Sequence, residues 1–474
     1  MEDGAQGDVY ARRYRILAAI MLGGIMGPID ASIVNVTLPT IAQHYGAELS
    51  TAQWVPMVYL LVISSLLLLF GRLGDIIGYK KVYLAGLGGF TLASAMCSAT
   101  YFMPTIHWLI AFRAVQGLTA SMLMAVQIAV ITASFPSTER GKALGINAIS
   151  ISAGLAIGPS LGGFLTHSFG WPSVFLVNVP IGIVGLLWAH HILPELKGRS
   201  GAVDWLGAAA SFVSLLSFLL FVNSVQRSGF EPAALAILLV AVVAAALFLR
   251  TERRAPSPLV DLGLFRQRTF VFANASALLN FMAQYVMVFL TPFYLQRLLH
   301  CAPNDVGLIM TACPLAIMAV APFSGSLSDR VGTRTLACAG AAICAIALLL
   351  MSLLPISATP QDIAWRLALF GIGTGIFQSP NNSAVMGSAP RPQLGTASGI
   401  LATVRNVGMV LGIAMGGAVL YALVPADVLQ APSLTDEAAD RFLYGLRCAY
   451  LAGAILTAIA AVTSLIRRDD RRTG

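Results

Sequence analysis

Long apolar runs separated by short charged loops extend along the whole chain. A helix needs about 20 apolar residues to cross the hydrocarbon core of a bilayer. The first run leads straight into further apolar runs, so we interpret it as a span rather than as a cleaved signal peptide. In total the runs predict fourteen membrane-spanning helices, near residues 15–37, 51–72, 81–101, 105–132, 142–165, 173–193, 205–225, 232–250, 269–294, 306–326, 335–354, 364–387, 395–421 and 444–466.

The composition agrees with a membrane protein. Of the 474 residues, 57% are hydrophobic and 11% are charged, whereas soluble domains carry about 25% charged residues. Disorder is excluded because it requires low hydrophobicity and high charge. The net charge of +8 would suggest a nucleic-acid partner in a soluble protein. Here the basic residues cluster beside apolar runs, so we expect a lipid bilayer, and no nucleic acid, as the partner.

The basic residues also predict the orientation of the chain. With the N-terminus inside, 22 of the 29 Lys and Arg residues fall on the cytoplasmic side and five on the outer side. The remaining two, Arg113 and Arg405, lie within spans. This asymmetry follows the positive-inside rule and supports the count of fourteen. We therefore expect a multi-pass protein of the cell (inner) membrane, with both termini cytoplasmic.

A repeated motif divides the chain. Residues 71–80 and 325–334 both read G-x-L-x-D-x-x-G-x-[KR], and they follow the second and tenth predicted spans. The predicted fold is thus an all-α polytopic membrane protein with two six-helix halves and two extra central helices. The predicted divisions are a cytoplasmic tail (1–14), an N-terminal six-helix bundle (15–194), two inserted helices with a cytoplasmic linker (195–268), a C-terminal six-helix bundle (269–466) and a cytoplasmic tail (467–474).

Two charged residues at similar depth are candidates for proton coupling. Asp30 and Arg113 each lie about eight residues from the outer end of their span, which is a depth of about 12 Å. Burial favours the neutral form of a carboxyl and a nearby arginine favours its charged form, so a moving partner could load or release a proton. The alternative is a static ion pair that fixes two helices.

Amide and aromatic side chains recur on helix faces within the spans. Gln116 and Gln127 share a face of span four with Arg113, because their spacing is helical. Such faces suit a cavity for bulky apolar compounds, although helix-helix hydrogen bonds would explain them equally well. The candidates on later spans are Asn280, Phe281, Gln284, Tyr285, Gln378, Asn381 and Asn382.

Span five is rich in glycine, and it contains Gly154, Gly158, Pro159 and Gly162. Glycines at this spacing let helix backbones approach closely, and the proline bends the helix. We interpret the segment as a tight contact between the halves. The six cysteines form no C-x-x-C pair, and no Walker A, H-E-x-x-H or G-x-S-x-G motif is present. We therefore expect no metal site, no cofactor and no enzymatic activity.

Together these segments resemble the major facilitator superfamily, and within it the fourteen-span drug:proton antiporters (the DHA2 branch). Residues 71–81 are similar to its signature after helix two, and 109–117 with Arg113 to its proton-coupling motif. Residues 154–163 and 30–39 are similar to its helix-five and helix-one motifs. The resemblance adds Tyr59 to the candidate cavity lining. It implies a conformational gate formed by Gly71, Arg72, Asp75, Gly78, Lys80, Asp329, Gly154, Gly158, Pro159 and Gly162.

The chain departs from that family pattern in two places. Ser326 and Ser328 make the second repeat looser, and span thirteen carries Arg405 where some members have an acid. With one buried acid, divalent cations are not expected as substrates. Arg405 leaves two interpretations open, a structural role or a partner for an anionic group on the substrate.

The predicted function is proton-coupled export of hydrophobic, often cationic, drugs or toxic compounds by alternating access. We expect a monomer that is driven by the proton gradient and binds small hydrophobic substrates and protons. One alternative keeps the fold and changes the cargo to a single metabolite, siderophore or anionic compound. A second alternative is a membrane receptor or sensor that binds its ligand without moving it.

Overall fold

The computed structural model describes residues 10–136, 139–195, 205–228, 231–254, 262–390, 394–431 and 434–466, and these contain α- and 3₁₀-helices but no β-strand. The predicted tail 467–474, most of the tail 1–14 and parts of the linker within 195–268 lie outside the described residues. Helices of 15 residues or more, in chain order, are α1 (Arg13–Tyr45), α2 (Trp54–Ile77), α3 (Tyr79–Ala99), α4 (Ile106–Ser134), α5 (Arg140–Phe169), α6 (Asn178–Ile192), α7 (Trp205–Ser228), α8 (Pro232–Arg254), α9 (Arg268–Arg297), α10 (Pro303–Val331), α11 (Thr333–Ser352), α12 (Pro360–Ser388), α13 (Leu394–Leu423) and α14 (Asp436–Ile466).

Twelve helical segments in the described part of the chain are long and apolar enough to cross a membrane. The sequence predicts fourteen, and the two long helices outside the twelve are α5 and α12. The middle of α12 carries Gly, Gln and Asn residues, which lowers its apolar content. Short helices precede α2, α6 and α14, at Leu49–Ala52, Ser173–Leu176 and Ala426–Gln430.

The helices pack in the same pattern twice. In the first set, α1 contacts α4, α5 and α6, while α4 contacts α2 and α3, and α3 contacts α6. Each of these pairings recurs eight helices later, so that α9 contacts α12, α13 and α14, α12 contacts α10 and α11, and α11 contacts α14. The two sets meet where α5 packs on α10 and α2 packs on α13. α7 packs on both α2 and α13, and α8 packs on α7.

The chain turns in the same way within each repeated motif. Gly78, between α2 and α3, has φ 100° and ψ 136°, and Gly332, between α10 and α11, has φ 96° and ψ 144°. Residues with a side chain rarely adopt this backbone region because Cβ clashes with the neighbouring peptide groups. Glycine at both positions thus allows two antiparallel helices to follow each other with one residue between them.

Candidate functional site

A cavity of about 170 Å³ lies at the centre of the bundle, between the two sets of helices. Its walls come from α1, α2, α4 and α5, and from their counterparts α9, α10, α12 and α13. Most of the lining is apolar and includes Met124, Met409 and Pro314. The candidate residues that line it are Tyr59, Gln127, Phe281, Gln284, Tyr285 and Gln378.

Asp30 on α1 and Arg113 on α4 form an ion pair, and both side chains are 0% exposed. Arg113 donates from Nη1 to Asp30 Oδ2 and, at 2.6 Å, to Gln116 Oε1. It also donates from Nε to the carbonyl oxygen of Val55, at 3.1 Å. Its guanidinium carbon lies 4.0 Å from the centroid of the Tyr59 ring, a distance at which cation–π attraction operates. The arginine is thereby held on several sides.

The second carboxylate oxygen of Asp30 has its own donors. Gln116 donates from Nε2 to Asp30 Oδ1 at 3.0 Å, and Asn178 donates to the same oxygen at 3.3 Å. Gln116 also donates to Ser94 Oγ at 2.9 Å. Sequence reasoning did not single out Asn178 or Ser94; the available signal was a polar residue at a span end and another in mid-span. These contacts, with that from Arg113, give both carboxylate oxygens of Asp30 a hydrogen-bond donor.

Tyr59 connects this ion pair to the cavity. One part of its side chain lines the cavity, and its ring lies against the guanidinium of Arg113. Asp30 and Arg113 do not line the cavity. A compound in the cavity would therefore not contact them directly. A compound that moves the Tyr59 ring would therefore change the surroundings of the buried pair without touching it.

The cavity wall of the second set holds polar groups without partners. Among the described residues, Arg405 Nε, Asn406 Nδ2 and Gln284 Oε1 are buried and form no hydrogen bond. On the opposite wall, by contrast, Gln127 donates to Asn147 Oδ1 at 2.6 Å. Arg405 and Asn406 are consecutive on α13, and both line the cavity. The sequence left Arg405 open as a structural residue or as a partner for an anionic group on the substrate, and it did not single out Asn406.

Four of the predicted lining residues lie elsewhere. Gln116 belongs to the hydrogen-bonded group around Asp30. Asn280 is fully buried, and neither of its amide atoms has a hydrogen-bond partner among the described residues. Asn381 donates to the carbonyl oxygen of Ala273 at 3.0 Å, and Asn382 is exposed. Of the three amides predicted on span twelve, only Gln378 lines the cavity.

The predicted gate residues after α2 interact locally. Tyr79 donates its hydroxyl to Asp75 Oδ1 at 2.5 Å, and Arg72 Nη1 lies 3.8 Å from Asp75 Oδ2. Lys80 is partly buried at the start of α3, and a Cβ on Gly71 would meet no atom within 4 Å. Asp329 lies near the end of α10, and its side chain is outside the described part of the structure.

The predicted glycine segment of α5 contacts both sets of helices. A Cβ on Gly162 would come within 2.9 Å of the Ile33 carbonyl oxygen on α1, and Gly154 and Gly158 face the same helix. On Gly163 it would lie 3.1 Å from the Cα atom of Gly307 on α10. Pro159 lies inside this segment. The absence of side chains lets α5 approach α1 and α10 closely at once.

A helical membrane protein whose central cavity is enclosed by equivalent helices of two similarly packed sets has the architecture of a secondary transporter. The chain matches the Major Facilitator Superfamily over residues 20–413 and 276–474. It belongs to that superfamily of membrane transporters.

Several proteins of known sequence or structure are similar to this chain. It is 34% identical to the riboflavin transporter RibZ of Clostridioides difficile, over 85% of this chain and 87% of that protein. It is 32% identical to the multidrug resistance protein Stp of Mycobacterium tuberculosis, over 87% of this chain and 76% of that protein. A bacterial homologue of the human lysosomal transporter Spinster shares the fold, with a TM-score of 0.65, 16% identity and coverage of 96% of both chains.

Proposed function

We propose that this chain is a proton-coupled antiporter of the fourteen-span drug:proton branch, which exports hydrophobic compounds across the cell (inner) membrane. The observation that carries the proposal is the position of Tyr59, which lines the cavity and packs on Arg113 of the buried ion pair. Such an exporter needs no cofactor, because the proton gradient supplies the driving force. We expect it to work as a monomer.

The proposed coupling uses Asp30 as the protonated group and Arg113 as its partner. When Asp30 is ionised it holds the guanidinium in place; a proton on the carboxylate removes the opposite charge and frees the arginine to shift. Cargo acts on the same arginine through Tyr59. Because proton and cargo then favour different positions of Arg113, binding of one would promote release of the other.

Fourteen spans are part of the proposal. Helices α5 and α12 are 30 and 29 residues long, so at about 1.5 Å per residue each can cross a bilayer. Both pack against helices that are long and apolar enough to cross a membrane. α5 lies against α1 and α10, and α12 lies against α10 and α11. Their polar side chains can therefore face protein instead of lipid. With fourteen spans both termini would lie on the same side, and the excess of basic residues in the loops on that side supports a cytoplasmic location.

The proposed moving units are the bundles 15–194 and 269–466, with 195–268 inserted between them. The recurring helix pairings support this division. Among the described residues, hydrogen bonds between the bundles lie in the half predicted to face outward, and they include Gln296 Nε2 to the Val36 carbonyl at 3.1 Å and Ser50 N to the Tyr421 hydroxyl at 2.9 Å. When the cavity opens to the outside, these bonds would break. At the same time the predicted gate after α2 would close on the inner side.

The test is dye flux in proteoliposomes under an imposed pH gradient, using ethidium, a cation, and rhodamine B, which carries a carboxylate. We expect gradient-driven flux that is lost in Asp30→Asn and kept in Asp427→Asn, the same change at an exposed acid. Equal flux in wild type and Asp30→Asn would contradict coupling at Asp30.

A dedicated transporter of a single compound is the second candidate. The similarity to RibZ, a riboflavin transporter by name, favours it, as does the polar wall around Arg405. A dedicated transporter would show saturable flux of one compound, whereas an exporter of many compounds would show mutual inhibition among dissimilar dyes. A folded protein that moves neither dye would favour the dedicated transporter.

A further inference from the structure

Arg405 is a cation at the centre of the molecule. It lines the cavity and, within the part of the chain that the structure describes, forms no ion pair and no hydrogen bond. Placing a charge inside a membrane protein is costly, and such charges are normally paired or face a route for ions or substrate. Since Arg405 faces the cavity, its partner can arrive with the cargo.

The neighbours of Arg405 complete a candidate binding site. Asn406 is 3% exposed, and its buried Nδ2 donor has no acceptor among the described residues. Phe281 and Tyr285 of α9 line the same cavity, and Met409 follows one turn later on α13. A guanidinium and an amide donor next to aromatic and thioether surfaces suit a compound with an acidic group on a flat apolar body.

The charges in the rest of the cavity favour the same cargo. The described residues that line it include no Asp or Glu, and the oxygens of Asp30 are occupied by Arg113, Gln116 and Asn178. A cationic compound would meet Arg405 as a like charge. An anionic compound would neutralise it, and the loaded cavity would then carry no unpaired charge while the helices rearrange.

We propose that Arg405, assisted by Asn406, binds a negatively charged group on the transported compound, so that the cargo is an aromatic or otherwise apolar organic anion or zwitterion. The inference rests on the proposed function and changes the expected cargo from cations to compounds with an acidic group. It assigns recognition to the second set of helices and leaves proton coupling with the first.

Binding of two dyes that differ in one charge tests this proposal. Rhodamine B has a free carboxylate, and its ethyl ester has the same rings without it. We expect the purified full chain, with no gradient, to bind the acid about tenfold more tightly than the ester, the size of one charge-assisted hydrogen bond. Arg405→Gln should remove this preference without weakening the ester, and Arg405→Lys should retain part of it.

The matched control is Arg366→Gln. Arg366 is a partly buried arginine near the predicted outer end of α12, and it donates to the Asp362 carbonyl oxygen. This variant should keep the preference for the acid over the ester. Equal binding of acid and ester to the wild type would overturn the proposal, as would an undiminished preference in folded Arg405→Gln. The proposed function fails separately, because it requires gradient-driven flux. Loss of coupling with intact preference for the acid would reject the antiport alone, and coupled flux without that preference would reject the anion site alone.

Discussion

Two arginines in the interior of the bundle, the buried Arg113 and the partly exposed Arg405, have opposite surroundings. Arg113, in the first set of helices, meets a carboxylate, an amide oxygen, a backbone carbonyl and a tyrosine ring. Arg405, in the second set, lines the cavity and has no ion-pair or hydrogen-bond partner among the described residues. Arg113 lies on α4 and Arg405 on α13, which are not counterparts in the repeated packing, so the two arginines occupy different places in their sets. One half satisfies its charge internally, and the other leaves its charge available to a ligand.

The largest expected effect is the loss of the charge on Arg113. Arg113→Gln leaves the Asp30 carboxylate buried without a counter-charge, and removal of one partner from such a pair costs about 3–5 kcal/mol. We expect the free energy of unfolding, measured by denaturant titration in mixed micelles, to fall by that amount. Adding Asp30→Asn should restore most of the loss, because both charges are then gone. A double variant as unstable as Arg113→Gln would show that the charge imbalance is not the cause.

The next effect tests whether the two halves share a backbone requirement. Gly78→Ala and Gly332→Ala place a Cβ at positive φ, and each should lower the free energy of unfolding by about 1–3 kcal/mol. The control is Gly71→Ala, where a Cβ would meet no atom within 4 Å. Similar losses at both turns are expected from their similar dihedral angles. A large loss at one turn alone would indicate that the repeats differ in backbone strain.

A smaller effect is expected at the tyrosine beside Arg113. Tyr59→Leu removes a ring 4.0 Å from the guanidinium carbon and should cost about 0.5–2 kcal/mol. Tyr59→Phe keeps the ring face and should remain close to wild type. The same denaturant titration measures both variants. Equal losses in the two would assign the effect to the hydroxyl group and not to cation–π attraction.

The smallest effect on stability is expected at Arg405. Arg405→Gln removes a partly buried charge that has no ion-pair or hydrogen-bond partner among the described residues, so the free energy of unfolding should stay within about 1 kcal/mol of wild type or rise. The sign is thus opposite to that for Arg113→Gln. A loss of several kcal/mol on titration would assign Arg405 a structural role and remove the contrast between the halves.

The order of the long helices and the similar depth of Asp30 and Arg113 could be predicted from the sequence. Each hydropathy run overlaps one long helix in the same order, because the apolar length that a bilayer requires is a strong local signal. Asp30 and Arg113 were predicted at the same depth from residue counts, and the structure brings them into contact. The depth of a residue below the membrane boundary follows from the rise per residue of the helix. Equal depth makes a pair between two helices possible, whatever the packing of those helices.

The direction in which each helix face points was less predictable. Gln378, Asn381 and Asn382 have helical spacing, yet one lines the cavity, one bonds the backbone of α9 and one is exposed. Spacing establishes which residues share a face, and only packing against neighbours determines what that face contacts. Asn178 was missed for a related reason, because its contact with Asp30 spans 148 positions and depends on how α6 packs against α1.

The inserted helices α7 and α8 make the two contact lines between the halves unequal. The halves meet along α5–α10 and along α2–α13, and α7 contacts both helices of the second contact line while α8 covers α7. The surface of α8 is largely apolar and exposed, as suits a helix surrounded by lipid acyl chains. A molecule that diffuses within the bilayer plane thus meets a thicker barrier on one flank than on the other. Lateral passage between acyl chains and the interior is therefore sterically biased toward the α5–α10 flank.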